Sequence, residues 1–168
     1  MTTFFDVETA GLSPHQHRLV TMQVRRAGIS TIWRSWEMPE HLMLERCLSF
    51  FDALPRSETI VGYNILGFDL PFAAERLAAN QTMNEWNYTR LYRRNWFDLY
   101  QYLGADYRSA DHWLDRFGIQ RTCTYTGKDM PTLYMMGDYG KIEQHALEDL
   151  VLCELLYERV RVLKVSQF

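Results

Sequence analysis

The residues of this chain that can do chemistry fall in three short stretches. The first holds Asp6 and Glu8, two apart in Phe4-Phe5-Asp6-Val7-Glu8-Thr9-Ala10-Gly11-Leu12. Phe4, Phe5 and Val7 read as a strand, and residues two apart on a strand leave by one face. Two carboxylates side by side on a buried face repel each other and lose hydration, and a hard divalent cation between them relieves both costs. On an edge strand the same pair is only solvated polar surface, and short motifs match by accident. Ala10-Gly11 ends the strand in a turn where Gly11 admits a close backbone approach.

The second stretch is Val61-Gly62-Tyr63-Asn64, followed by Phe68-Asp69-Leu70-Pro71. A strand ends, a glycine turns the chain, and an acid opens a helix. The helix dipole alone favours an acid there, and Asn64 can simply satisfy a loop. The third holds His145 and Asp149, four apart and so on one helical face. Leu152, Cys153 and Leu156 continue that face, which turns Asp149 inward, where a carboxylate needs a partner. His145 alone supplies an ion pair. A metal shared with Asp6 and Glu8 is the other option.

The elements that must position these groups follow from periodicity. Residues 18–26 and 29–36 read as two further strands, which with the first make an antiparallel meander. Pro39 opens a helix with Leu42, Leu44, Cys47, Leu48 and Phe51 on its apolar face, and Pro55 closes it. Residues 58–61 form a strand, a helix runs from near Phe68 to about Ala79, and residues 96–99 form another strand. Residues 80–95 are polar and aromatic without a period. Ser109 caps a helix closed by Gly118, a loop carries Gly127, Lys128 and Pro131, and the last helix spans about residues 142–163. Strands first, then strands alternating with helices, argue for an α/β fold.

The 168 residues suit a single domain, 47% apolar and 14% aromatic, with no repeat or linker. No run is apolar for long enough to span a membrane, and no charged leader precedes the first strand, so an intracellular protein is expected. Cys47, Cys123 and Cys153 are too widely spaced for a disulfide framework or a zinc site. A net charge of −3 argues against a generic polyanion binder but allows an acidic site neutralised by metal. The positive charge is mostly arginine, the better residue for forking a phosphate.

Together the stretches resemble the DEDD, or DnaQ-like, superfamily of 3′→5′ exonucleases, within the ribonuclease H-like fold. Phe-Asp-Val-Glu-Thr at 5–9 is similar to the first exonuclease motif, Asn64 with Phe68-Asp69 to the second, and His145 to Asp149 to the third. The wording around Gly62-Tyr63-Asn64 and Phe68-Asp69-Leu70-Pro71 is most similar to the proofreading domain of family B DNA polymerases and its stand-alone relatives. The likeness covers nearly the whole chain. One departure stands out. The superfamily's third motif has a histidine five before the aspartate or a tyrosine four before it, whereas here a histidine stands four before it. Tyr139, ten before Asp149, is too far away to substitute.

The resemblance implies a central mixed five-stranded sheet flanked by helices and one exonuclease domain over residues 1–168. It implies two divalent ions, Mg2+ or Mn2+, held by Asp6, Glu8, Asp69 and Asp149, with His145 as base from the tyrosine's position or a slower site that leans on the metal. It places Thr9 and Ala10 backbone at the terminal nucleotide, Leu12 as a wedge between the last two bases, and Asn64 and Phe68 along the strand. Arg93 and Arg94, interleaved with aromatics at residues 90–96, suit a surface for phosphates and bases. Their other reading is a loop with aromatics inward and arginines in water. Expected partners are single-stranded nucleic acid or frayed 3′ ends, with a homodimer or docking on a polymerase or another nucleic-acid-processing protein also open, and a role in DNA repair or proofreading. An RNA-trimming enzyme and a catalytically idle nucleic-acid-binding module are the alternatives.

Overall fold

The computed structural model describes residues 1–80, 85–104 and 108–165, with the side chains of 85, 86 and 163–165 left aside. Five strands form one mixed sheet: β1 (Thr2–Thr9), β2 (Leu19–Arg26), β3 (Ile29–Arg34), β4 (Thr59–Gly62) and β5 (Asn95–Asp98), in the order β3-β2-β1-β4-β5. The first three pair antiparallel, and β4 and β5 continue parallel to β1. This is the α/β, ribonuclease H-like arrangement expected from the sequence.

The alternation along β1 divides the molecule. Phe5 and Val7 face one side, where they join Leu44, Leu48 and Phe51 of α1 (Glu40–Ala53) and Phe72 and Leu77 of α2 (Leu70–Ala79). Phe4, Asp6 and Glu8 therefore face the other side. There Phe4 and Val61 meet Leu150, Leu152, Leu156 and Val160 of α7 (Tyr139–Val165) and Leu114 of α5 (Ala110–Arg116). Both faces of the sheet are covered, which is why β2 reads as loose alternation. Leu19, Met22 and Val24 pack under α1, while Thr21 and Gln23, also fully buried, lie opposite Glu8 and Asp6.

Three elements depart from the sequence expectation. α3 (Glu85–Tyr92) occupies part of the stretch that showed no period, while residues 81–84 of that stretch lie outside the described residues. Its inward side carries Asn87 and Arg90 beside Leu91, so no apolar period marks it. α6 (Met130–Met136) replaces the expected loop: Pro131 sits in its first turn, where proline is tolerated, and Met130 and Leu133 are buried. The last helix starts at Tyr139, whose ring stacks on Trp36.

Between β4 and α2 the chain makes a single π-helical turn, Ile65–Asp69, entered through Asn64 in the left-handed region at φ 58°. Asp98 at the end of β5 accepts the N–H of Asn64 at 2.9 Å and of Leu66 at 3.0 Å, and caps the short α4 (Leu99–Tyr102) through the N–H of Tyr100. Gly62 passes close beneath β1: a Cβ there would lie 2.9 Å from the carbonyl oxygen of Phe5, so no larger residue fits. No helix among the described residues is long and apolar enough to cross a membrane.

Candidate active site

The ladder between β1 and β4 ends at Phe4 opposite Val61, which leaves the N–H of Val7 without a partner strand on that side. Asp69 takes it, its Oδ1 accepting from Val7 at 3.2 Å, and so the π-helical turn delivers its carboxylate beside β1. Across the sheet the amide of Gln23, itself oriented by Thr21, donates to Asp6 Oδ2 at 2.7 Å. From α7, His145 Nε2 lies 3.6 Å from Glu8 Oε1 and 3.4 Å from Asp149 Oδ2. Parallel strands with acids at their C-terminal ends and one covering helix thus bring four carboxylates together from three distant stretches of chain.

They line a hollow of about 220 Å³, shared with Thr9, Leu12, Asn64, Phe68 and His145. Leu12 lines it while 84% exposed. Phe68 is half-buried, its ring tilted against Phe72 at 5.5 Å. Gly11 does admit a close approach, but by the imidazole of His17 and not by backbone: a Cβ would lie 2.6 Å from that ring.

Other expected contacts fall elsewhere. The N–H of Ala10 is used within the fold, donating to the carbonyl of Arg18 at 3.0 Å, so Thr9 lines the hollow and Ala10 does not. Arg93 and Arg94 line a separate hollow with Asp52, Arg56, Thr89 and Arg90. The guanidinium of Arg94 is committed to the carbonyls of Phe51 and, at 3.2 Å, Leu54, at the end of α1.

The electrostatics of the acid hollow are those of a site short of positive charge. Burial, reinforced by the nearby Asp149 charge, pushes Asp6 up to about 8, and the Gln23 hydrogen bond only partly opposes this. Glu8 and Asp69 are driven well above the usual carboxylate range, first by burial and then by Asp6. Burial lowers His145 despite the opposing pull of Asp149, which keeps the ring neutral near pH 7. Its Nδ1 is buried with no hydrogen-bond partner, so the polar edge of the ring is Nε2, facing the acids.

Buried oxygen donors that cannot all ionise together match hard divalent cations. Donor atoms of Glu8, His145 and Asp149 come within 4.8 Å of one another, close enough to share one ion. The residues present therefore fit a metal.

Two contributors had no strong sequence signal. Arg121, between α5 and α6, donates to Asp149 and to Asp111, and sits in an irregular stretch with no period to mark it. Asp98 braces the turn that carries Asp69, and an acid directly before an apolar helix start is the cap pattern that could have found it.

Comparison with known proteins bears on the fold. A family model for the RNase H superfamily matches residues 3–160. The family B DNA polymerase from the hyperthermophilic archaeon Pyrobaculum calidifontis aligns over 95% of this chain with a TM-score of 0.78 and 18% identity. A moderately thermophilic Exonuclease I from Methylocaldum szegediense aligns over 79% with a TM-score of 0.57 and 16% identity. The chain spans only 24% of that polymerase chain and 39% of that exonuclease chain, and at these identities the likeness is one of fold. No curated protein matches the sequence. With nearly its whole length matched by the family model, the chain belongs to the RNase H superfamily.

Proposed function

We propose that this protein is a metal-dependent 3′→5′ exonuclease acting on single-stranded DNA or frayed 3′ ends. The observation that carries the reading is the convergence of Asp6, Glu8, Asp69 and Asp149 on one hollow that Leu12, Asn64 and Phe68 also line. The four acids would hold Mg2+ or Mn2+, with Asp6 central. Divalent ions in such a site supply an acidified water and a charge sink for the leaving 3′ oxygen.

The remaining work belongs to the chain's own side chains. His145, neutral and with Nε2 turned to the acids, takes the proton of the attacking water. Leu12 and Phe68 offer apolar surface on which bases of any identity stack, as suits an enzyme that works through a strand without reading it. Asn64, in its left-handed conformation at the entry to the turn, faces the same hollow and borders the strand's path.

Digestion of 5′-labelled single-stranded DNA, duplex DNA and RNA with Mg2+ and then Mn2+ tests the reading. A ladder shortening from the 3′ end of DNA is expected. Faster trimming of RNA would move the substrate, and binding without cutting would leave a binding module. His145→Ala should retain weak cutting, and cutting at the wild-type rate would remove His145 from the role of base.

A further inference from the structure

One cation already stands against the acids. Arg121 has a side chain 19% exposed and donates from Nε to Asp111 Oδ1 at 3.0 Å, while one of its terminal nitrogens donates to Asp149 Oδ1. Glu148 Oε2 lies 4.0 Å from that same terminal nitrogen. A small apolar hollow adjoins the acid hollow and shares Asp6 and Asp149 with it. Among the described residues lining either, Arg121 is the one lysine or arginine.

Both oxygens of Asp149 are therefore engaged. Oδ1 faces the guanidinium, and Oδ2 faces His145 at 3.4 Å. A divalent ion bound through Asp149 with Arg121 in place would sit beside a fixed positive charge in a poorly hydrated pocket, where such repulsion is strong. If the guanidinium lets go of Asp149, it keeps its place, because Asp111 and Glu148 remain beside it. The geometry is that of a carboxylate held in position by a cation that can be replaced.

We propose that Arg121 is a positioning residue that orients Asp149 in the ion-free protein and yields it to the divalent ion, so that guanidinium and metal compete for one carboxylate. This rests on the reading of Asp149 as a metal ligand. The competition lowers the site's intrinsic affinity for the ion and spares the empty pocket some of its negative charge.

Titration with Mn2+, followed by the electron paramagnetic resonance signal of the free ion, tests this on the full chain without any nuclease assay. Arg121→Gln, which keeps much of the bulk and removes the charge, should bind Mn2+ about tenfold more tightly, the lower end of the scale on which a facing arginine alters a carboxylate's affinity for a proton. Its melting temperature should fall below wild type in chelator, and the gap should narrow at saturating Mn2+. Asp149→Asn should bind Mn2+ more weakly than wild type. Unchanged or weaker Mn2+ binding in Arg121→Gln, with Asp149→Asn still weakened, overturns the proposal and leaves the metal site standing. Wild-type Mn2+ binding in Asp149→Asn overturns the metal-ligand reading and this proposal with it. Should Arg121→Gln fail to fold, Arg121→Met also removes the charge while keeping an apolar stem: tighter Mn2+ binding supports the competition, and unchanged binding overturns it.

Discussion

Two charged hollows lie at opposite ends of the same parallel strands. The acids gather where β1 and β4 finish, whereas Arg56 precedes the start of β4, and Arg93 and Arg94 precede the start of β5. At the arginine end the fold answers the charge of Arg90 and Arg94. Arg90, 7% exposed, donates to Asp52 at 2.6 Å, to Glu45 at 3.0 Å and to Asn87 and Ser49, and Arg94 closes the end of α1. At the acid end burial raises the proton affinity of Asp6, Glu8 and Asp69, Asp149 adds to it at Asp6, and Asp6 adds to it at Glu8 and Asp69, while Arg121 donates only to Asp149 among the four acids. Charge satisfied within the chain stabilises the fold. Charge left unanswered in a hollow marks where something from outside is needed.

The contrast can be broken at either end. The largest effect is expected for Asp6→Asn, which should slow cutting of single-stranded DNA by at least about a thousandfold, on the scale of losing a main electrostatic element of a site. Its melting temperature in chelator should not fall, because a buried group whose ionisation burial and the Asp149 charge oppose is replaced by a neutral amide. A clear loss of stability would mean that Asp6 is structural. Next, chelator should stop cutting reversibly, and Mg2+ should raise the melting temperature, by the equivalent of about 2.7 kcal/mol at a hundredfold excess over the dissociation constant. No response of the melting curve to Mg2+ or Mn2+ would erase the difference between the two ends.

The arginine end should behave in the opposite sense. Arg90→Ala should cost about 2 kcal/mol in urea unfolding, since a nearly buried fork is lost while Asp52 and Glu45 can rehydrate. The cutting rate should be unaffected. The smallest effect concerns Glu58, at the same end, which accepts from Arg26 at 2.8 and 2.9 Å and from Thr3 at 2.7 Å. The Arg26 guanidinium holds its carboxyl below the usual range, against the opposing effect of burial. A carboxyl with a depressed folded-state value stabilises fully above its unfolded value and loses that contribution as pH falls through the folded one. Glu58→Gln should therefore be less stable than wild type at pH 7, with the gap closing below about pH 4, the ordinary glutamate range. A gap independent of pH would assign the loss to packing.

How much of this was legible in the sequence depends on whether a local period carried it. Asp6 and Glu8 share a strand face, and His145 and Asp149 share a helix face, and both follow from two short spacings. That these faces look at each other is a property of sheet order: β4 beside β1, and α7 across them, which spacing alone does not supply. The hidden elements failed for a shared reason. α3 turns Asn87 and Arg90 inward, and α6 leaves Met135 and Met136 exposed, so hydrophobicity does not mark their buried sides. Composition does not reveal that Arg94 lies beside the end of α1, where its guanidinium meets the carbonyls of Phe51 and Leu54. Arg121 carries no local signal, since its meaning lies 28 residues away at Asp149.

The division of β1 between its two faces also bears on how the chain finds its fold. Were β1 to pair with β2 one step out of register, its side chains would change sides. Asp6 and Glu8 would then enter the oily layer beneath α1, and Phe5 and Val7 would stand among Gln23, Thr21 and His145. Neither arrangement is tolerable, so the misaligned hairpin has no refuge. The acids proposed to hold the ions also act as proofreaders of strand alignment while the molecule assembles.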